Sequence, residues 1–393
     1  TYLGQPGVYP ANMQFEDLRW EKKSELNLGL NLILFDDRVN MDFNWYKNRT
    51  DDLFFDGVSI PSTSGYSKVP MNVGTVDNEG WEFSLFSTPY RDKDWTVTFR
   101  VNFAHSANII RSLSDNISLS SIPTASNGQY LSRIQEGNPL GSFYGYKYKG
   151  VYLNDSETIA KDGNGNPIYT FENGKRVPVR MKFWYPTNGY EFQAGDARYE
   201  DINNDGNINH QDIVYLGDAN PTLTGGFGPS IKYKNWSVDA YFYFRYGSDI
   251  VNSTKMNMES MYNFDNQSTA TLKRWRHPYQ DAADAPSDLI PRALYRQGYN
   301  WLGSDRYVED GSFLRWQSLT FRYNFDRKLI NRLGLSALNI SGTLYNLYTW
   351  TSYTGMDPEV SFRSLSKDIF QIGYDTSKAP RPKTFTLSLN LTF

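Results

Sequence analysis

Apolar and polar positions alternate with a period of two in stretch after stretch of this chain. The plainest case is the last, Phe385-Thr386-Leu387-Ser388-Leu389-Asn390-Leu391-Thr392-Phe393, with a large apolar residue at every odd position and Ser, Thr or Asn at every even one. Such a period places the two sets on opposite faces of a β-strand. A strand of a soluble sandwich alternates in the same way, so one stretch does not separate the architectures. Recurrence does.

Leu26, Leu28, Leu30, Leu32 and Leu34 share one parity, and Val39, Met41, Phe43 and Trp45 follow the turn Phe35-Asp36-Asp37. This pair predicts a hairpin. A polar loop of about 28 residues separates it from a third strand over 77–88, with Trp81, Phe83 and Leu85 on one face. A fourth is expected from Trp95 to Phe103, a fifth over 224–233, a sixth over 236–245, a seventh over 313–325 and an eighth over 338–348. The parity of the seventh is ambiguous near Trp316. Between strands, Ser268 to Trp275 is expected as a short helix stopped by Pro278. Arg327 to Leu333 is expected as a helical turn ended by Gly334.

The connections alternate in length. Those after strands one, three, five and seven are short, and those after two, four, six and eight are long. Aromatics flank the short turns (Phe35, Tyr90, Trp95, Tyr233, Trp236, Phe325, Phe393) and the long loops (Trp20, Trp45, Trp81, Trp350, Phe385). Short periplasmic turns, long extracellular loops and two aromatic girdles are the pattern of an outer-membrane barrel. The expected fold is therefore all-β, a transmembrane antiparallel β-barrel. Positions near 36, 91, 234 and 330 are expected on the periplasmic side, and those near 60, 160, 280 and 365 outside. The first and last of nine strands run in the same direction, and bacterial single-chain barrels have even counts. The chain is accordingly expected to be the C-terminal part of a larger barrel, pairing with an N-terminal half. The alternative is one further strand over 144–152. The organisation expected is a loop segment over 1–21, strands one to four over 22–106, an extracellular region over 107–223, and strands five to nine over 224–393 with loops at 248–311 and 349–381. The region over 107–222 is too long for a structureless loop, so it is expected to fold as a layer above the barrel.

Composition changes this picture little. Aromatics make up 16% of 393 residues, which suits girdles or a carbohydrate-handling surface. A net charge of −3 gives no reason to expect a nucleic-acid partner. With no cysteine, disulfides and thiolate metal sites are excluded. No apolar run is long enough for a transmembrane helix, and Thr1-Tyr2-Leu3-Gly4 does not read as a signal peptide.

Several runs resemble the C-terminal half of SusC/RagA-type TonB-dependent transporters. They are Asp17-Leu18-Arg19-Trp20-Glu21, Gly137-Asn138-Pro139-Leu140-Gly141-Ser142-Phe143-Tyr144-Gly145-Tyr146, Gly195-Asp196, Asp201 to Ile208, and Gly217-Asp218-Ala219-Asn220-Pro221. Lys273-Arg274-Trp275 with Ile290-Pro291-Arg292, Asn346 to Tyr353 with Gly355-Met356-Asp357-Pro358-Glu359, and the closing Phe393 complete the series in order. The resemblance implies a barrel of about 22 strands, an N-terminal plug, contact with TonB, a SusD-like lipoprotein lid, and import of glycans or peptides across the outer membrane. A surface adhesion barrel without transport and a TonB-dependent receptor for an iron complex are the rival readings.

The sharpest chemical motif is Asp201-x-Asn203-x-Asp205-Gly206-x-Ile208-x-x-x-Asp212. Oxygen ligands at positions 1, 3 and 5, Gly at 6 and a carboxylate at 12 match an EF-hand-like calcium loop. Asn207 would offer its carbonyl, and Asn209 would coordinate directly or through water. Position 12 is the shorter Asp rather than Glu. The competing reading is an Asn/Asp/Gly turn that binds nothing. Any calcium here would be structural. His105, His210 and His277 have no partners at telling spacings, no nucleophile motif is present, and no enzyme is expected. Loop aromatics Trp184, Tyr185, Tyr190 and Trp301 are expected to be mostly loop core. Asp42, Glu82, Arg100, Asp239 and Arg245 are expected to face the lumen, because Arg facing lipid near the midplane costs about 2–4 kcal/mol.

Overall fold

The computed structural model describes residues 18–59, 68–72, 74–113, 126–130, 135–184, 189–359, 372–377 and 379–393. The expected irregular segment 1–17, Tyr185 and the loop positions 60 and 365 lie outside the described residues. Nine long strands form one antiparallel sheet in sequence order: β1 (Lys22–Leu34), β2 (Val39–Asp51), β3 (Gly74–Arg91), β4 (Trp95–Leu113), β5 (Leu223–Tyr233), β6 (Trp236–Tyr246), β7 (Phe313–Asn324), β8 (Ala337–Thr351) and β9 (Thr384–Thr392). No helix among the described residues is long and apolar enough to cross a membrane. Residues 144–152 supply no tenth wall strand. They form the short strands Ser142–Gly145 and Tyr148–Val151, which pair elsewhere.

Register carries the apolar positions across the wall in continuous rows. Leu32 pairs with Met41, Met41 with Leu85, Leu85 with Val101, Val101 with Phe227, Phe227 with Phe242, Phe242 with Trp316, and Trp316 with Tyr348. Rings in these rows touch: Phe227 and Phe242 lie 5.0 Å apart, and Phe242 and Trp316 5.5 Å. Cross-strand contacts of this kind are what stabilises a sheet face. The opposite face is polar and meets the loops. Asn108 accepts a hydrogen bond from the Leu140 amide at 2.7 Å there, and Arg315 reaches Glu359 at 2.8 Å. Asp42, Glu82, Arg100, Asp239 and Arg245 share this loop-contacting face by register.

The uncertain parity near Trp316 has a local cause. Tyr241 and Phe242 of β6 oppose Ser318 and Trp316, leaving Gln317 as an extra residue. On the other side β8 places Asn346, at φ 54°, in the same irregularity. This is a β-bulge, which switches the parity of the strand. Sequence reading also cut several strands short, β2 among them, which runs on to Asp51. β4 continues to Leu113 and β3 begins at Gly74, and between β2 and β3 a small hairpin, Phe54–Ser59 with Lys68–Asn72, replaces the expected plain loop. Periodicity faded there because these strand ends rise past the apolar band.

The short turns follow their chemistry. Phe35, Asp36 and Asp37 all adopt positive φ. The Asp92 carboxylate accepts the Asp94 and Trp95 amides at 2.8 and 2.7 Å. Arg327–Ile330 is helical, and Gly334 caps the following turn at φ 71°. The helix expected over 268–275 is instead a five-residue 3₁₀ turn, Thr269–Lys273, because Arg274 and Trp275 leave it to pair with Ile290. A short α-helix lies earlier, at Ser253–Glu259, capped by the Asn252 side chain.

Candidate functional site

Above the wall, the segments between β4 and β5 and between β6 and β7 fold together into one layer. Strand Ser142–Gly145 pairs with Val214–Asp218, Tyr148–Val151 with Ala197–Tyr199, and Lys182–Trp184 with both Gly189–Glu191 and Asn207–Ile208. Their core is largely aromatic. Tyr144, Tyr146, Tyr152, Phe183, Phe192 and Tyr199 are buried with Ile208 and Leu302, and Phe183 stacks on Tyr299 at 3.8 Å. Burying such rings supplies the apolar area that a loop region of mixed composition otherwise lacks. Tyr190 packs at the edge of this core and Trp301 lies 5.7 Å from Tyr262, whereas Trp184 is about half exposed.

The 201–212 loop sits against that core through Ile208, which is fully buried. Asp201 accepts the Asp205 amide at 3.2 Å through Oδ1 and the Gly206 amide at 2.8 Å through Oδ2. Asn203 Oδ1 shares the Asp205 amide at 3.2 Å, and Asp205 Oδ1 accepts the Asn207 amide at 2.7 Å. Four oxygens of three side chains thus converge on one turn of backbone, made by Asn204 at φ 57° and Gly206 at φ 84°. Asn209 accepts the Gln211 amide and caps the 3₁₀ turn His210–Asp212.

Asp212 is wholly buried. Its carboxylate accepts the Ile202 and Asn209 amides, both at 2.8 Å, and so ties the two ends of the loop together. Burial pushes its carboxyl up to about 6 despite those two donors. Asp201 is also raised, by burial first. Each carboxylate oxygen keeps one lone pair beyond these hydrogen bonds, so the donor set suits a hard cation. Asn203 Nδ2 presently donates to Asp205 Oδ2 at 3.0 Å and to Gln211 Oε1 at 2.9 Å. Among the described residues no three His, Asp or Glu side chains are grouped closely enough to hold an ion by themselves. The amide and carbonyl oxygens of Asn203, Asn207 and Asn209 would have to complete any shell. The three histidines stay apart: His105 meets the Thr222 carbonyl, His277 lies by Tyr279, and His210 stands in the 3₁₀ turn.

A second constellation was not legible from spacing. Asp196, fully buried, receives Arg292 Nε at 2.7 Å, the Tyr190 hydroxyl at 2.8 Å and the Gln193 amide at 2.9 Å. Gly195 beside it leaves no room for a side chain, because Trp275 and Arg292 lie against its Cα. The runs at 195–196, 273–275 and 290–292 therefore meet in space. Arg315 does the same for the loop after β8, holding Asp357 and Glu359, with Arg381 also on Glu359. Neither cluster has a nucleophile and base arranged for chemistry. Both fasten long loops.

An antiparallel wall with an apolar outer face, short turns at one end and a folded layer at the other defines the outer-membrane barrel class. No family model matches the chain. TonB-dependent receptor P3 of Formosa agariphila is 31% identical over 98% of the chain and 36% of its own length. TonB-dependent receptor SusC of Bacteroides thetaiotaomicron is 25% identical over 96% of the chain and 32% of its own length. The solved structure of the RagAB peptide transporter superposes with a TM-score of 0.71 at 22% identity, over 100% of the chain and 38% of that chain. The chain thus spans about a third of the length of the curated relatives it matches. Over nearly its whole length the chain is similar in sequence to these TonB-dependent receptors, and it shares the fold of the matching part of the RagAB structure. These relatives are receptors and transporters, not enzymes.

Proposed function

We propose that the chain forms part of the wall and outer layer of a TonB-dependent transporter in the bacterial outer membrane, importing glycans or peptides. The observation that carries this reading is the meander of nine strands whose apolar rows face outward while a polar face holds the loops, a pattern shared along its length with receptors of that type. The remaining length of such a receptor would supply the rest of the barrel, the plug and the TonB contact. A SusD-like lipoprotein would close the outer layer, and lipids would surround the wall. The 201–212 loop would hold a structural calcium through Asp201, Asn203, Asp205, Asn207, Asn209 and Asp212. The converging oxygens and buried closing carboxylate support this. The glycan-or-peptide reading is preferred to the iron-complex one because the motifs along the chain resemble SusC/RagA-type transporters and the similarly folded RagAB is described as a peptide transporter.

The test is deletion of the full-length gene in its host, with growth scored on glycan and peptide sources. Loss of growth on one such source, reproduced by loss of TonB and accompanied by a copurifying lipoprotein, is the expected result. Loss of growth only on iron-limited medium, or an intact phenotype with the protein outside the outer membrane, overturns it.

A further inference from the structure

The outer face does not stay apolar to the tops of the strands. On β2 the outward parity runs Val39, Met41, Phe43, Trp45 and then Lys47 and Arg49; on β3 it runs Leu85, Phe83, Trp81 and then Glu79 and Asp77. Register is unbroken over this range, so the charged residues share the face of the aromatic ones. Arg49 stands ten residues above Val39. At about 3.3 Å per residue and a tilt near 40° that is about 25 Å, the height of a barrel's apolar band. These groups therefore sit at headgroup level if the wall spans a membrane.

Two of them are arranged rather than scattered. Asp77 is buried between two arginines: Arg49 Nε and Nη2 reach its oxygens at 2.7 and 3.0 Å, and Arg111 Nε reaches Oδ2 at 2.7 Å. Arg111 can do so because β4 is irregular there, pairing Ile110 with Val76 and Ser112 with Thr75. Both arginine side chains remain about half exposed. One carboxylate thus fixes two guanidinium groups side by side, and each guanidinium keeps N–H groups beyond those bonded to Asp77. Beside them Lys47 is balanced by Glu79 at 3.7 Å, and the Asp51 carboxylate, on the same face of β2, also acts on Arg49, so what the pair offers an anion is fixed guanidinium geometry rather than surplus charge. Planar guanidinium groups suit the oxygens of a phosphate.

We propose that the Arg49–Asp77–Arg111 cluster binds the phosphate of an outer-leaflet lipid and anchors this side of the wall to it. The inference rests on the membrane reading above. The probe is lipid A bearing its phosphates, added to the purified full-length protein in detergent and read by native mass spectrometry. Dephosphorylated lipid A and free inorganic phosphate serve as competitors. Phosphorylated lipid is expected to bind at least tenfold more tightly than the dephosphorylated form. The variant R49Q/R111Q is expected to abolish that preference while keeping its heat-modifiable migration on gels. If the double variant does not fold, R111Q alone is expected to lower the preference severalfold. Equal binding of both lipids, an unchanged preference in a folded variant, or displacement by inorganic phosphate at equal concentration overturns the proposal. Fractionation of the same cells separates the two readings: protein outside the outer membrane defeats the membrane reading, and protein within it but indifferent to lipid phosphate defeats only this one.

Discussion

Arg292 places its Nε 2.7 Å from Asp196 Oδ1, joining two loops that are 96 positions apart in sequence. Asp196 is wholly buried, and Arg292 is mostly so. Removing one member of a buried pair leaves the other uncompensated and costs about 3–5 kcal/mol. Asp196→Ala in the full-length receptor is therefore expected to loosen the layer while sparing the wall. Limited proteolysis should show new cleavage over 190–200 and 285–300 with unchanged heat-modifiable migration. Cleavage identical to the parent's would show that the pair does not hold the layer.

The 201–212 loop makes its own prediction. Calcium is expected to slow amide exchange over 201–212, and Asp201→Asn to weaken its affinity at least tenfold. A structure determined with calcium should show oxygens of Asp201, Asn203 and Asp205 at about 2.3–2.6 Å from the ion. Exchange that ignores calcium would leave the loop as an Asx-rich turn closed by Asp212.

Asp249 gives a dependence on pH. Burial raises its carboxyl, and Asp218 and Asp310 add to the effect, against the opposing Asp218 amide at 3.1 Å. A carboxyl raised in the fold stabilises most below its unfolded pKa, near 3.9, and that contribution is lost as pH rises through the higher folded value. Asp249→Asn is thus expected to stabilise the layer at pH 7 and to make no difference near pH 4. Thermal proteolysis at the two pH values measures this, and a destabilised variant at pH 7 would contradict it.

Topology is tested by single cysteines in intact cells. Positions 36 and 91 should resist a membrane-impermeant reagent, and 160 and 280 should react. Labelling at 91 without labelling at 160 would reverse the wall.

β1 and β9 each pair along one edge only among the described residues. In hydrocarbon, unpaired backbone groups cost several kcal/mol each. Residues 1–393 refolded alone in detergent are therefore expected to give no discrete heat-modifiable monomer. Such a monomer would mean that these edges close on one another.

The wall was legible because each strand solves the same local problem, with one face apolar and one face polar, and period two records that directly. Gln317 blurred it, since one extra residue inverts the pattern and nothing in its side chain announces a bulge. The layer was legible only as an expectation that something must fold there. Its short strands are held by distant partners such as Tyr199 and Leu302, and no periodicity encodes a contact across a hundred residues. The 201–212 loop was visible because its ligands are local. The Asp196–Arg292 pair was not, because its members are far apart and each resembles an ordinary surface charge. The Asn252 cap of the short helix was a signal available but unused.

The unbroken rows across the wall set an arithmetic for how such a chain can change length. One residue added within β2 would turn every later side chain of that strand, sending Asn44 towards lipid and Trp45 inward. Two residues would preserve the facing and merely raise the rim. Between β4 and β5 the same additions carry no parity to violate. Divergence in length should therefore accumulate in the outer layer in any number, and in the wall only in pairs or at a bulge such as Gln317. The outer layer can then be rebuilt freely on a frame that counts by twos.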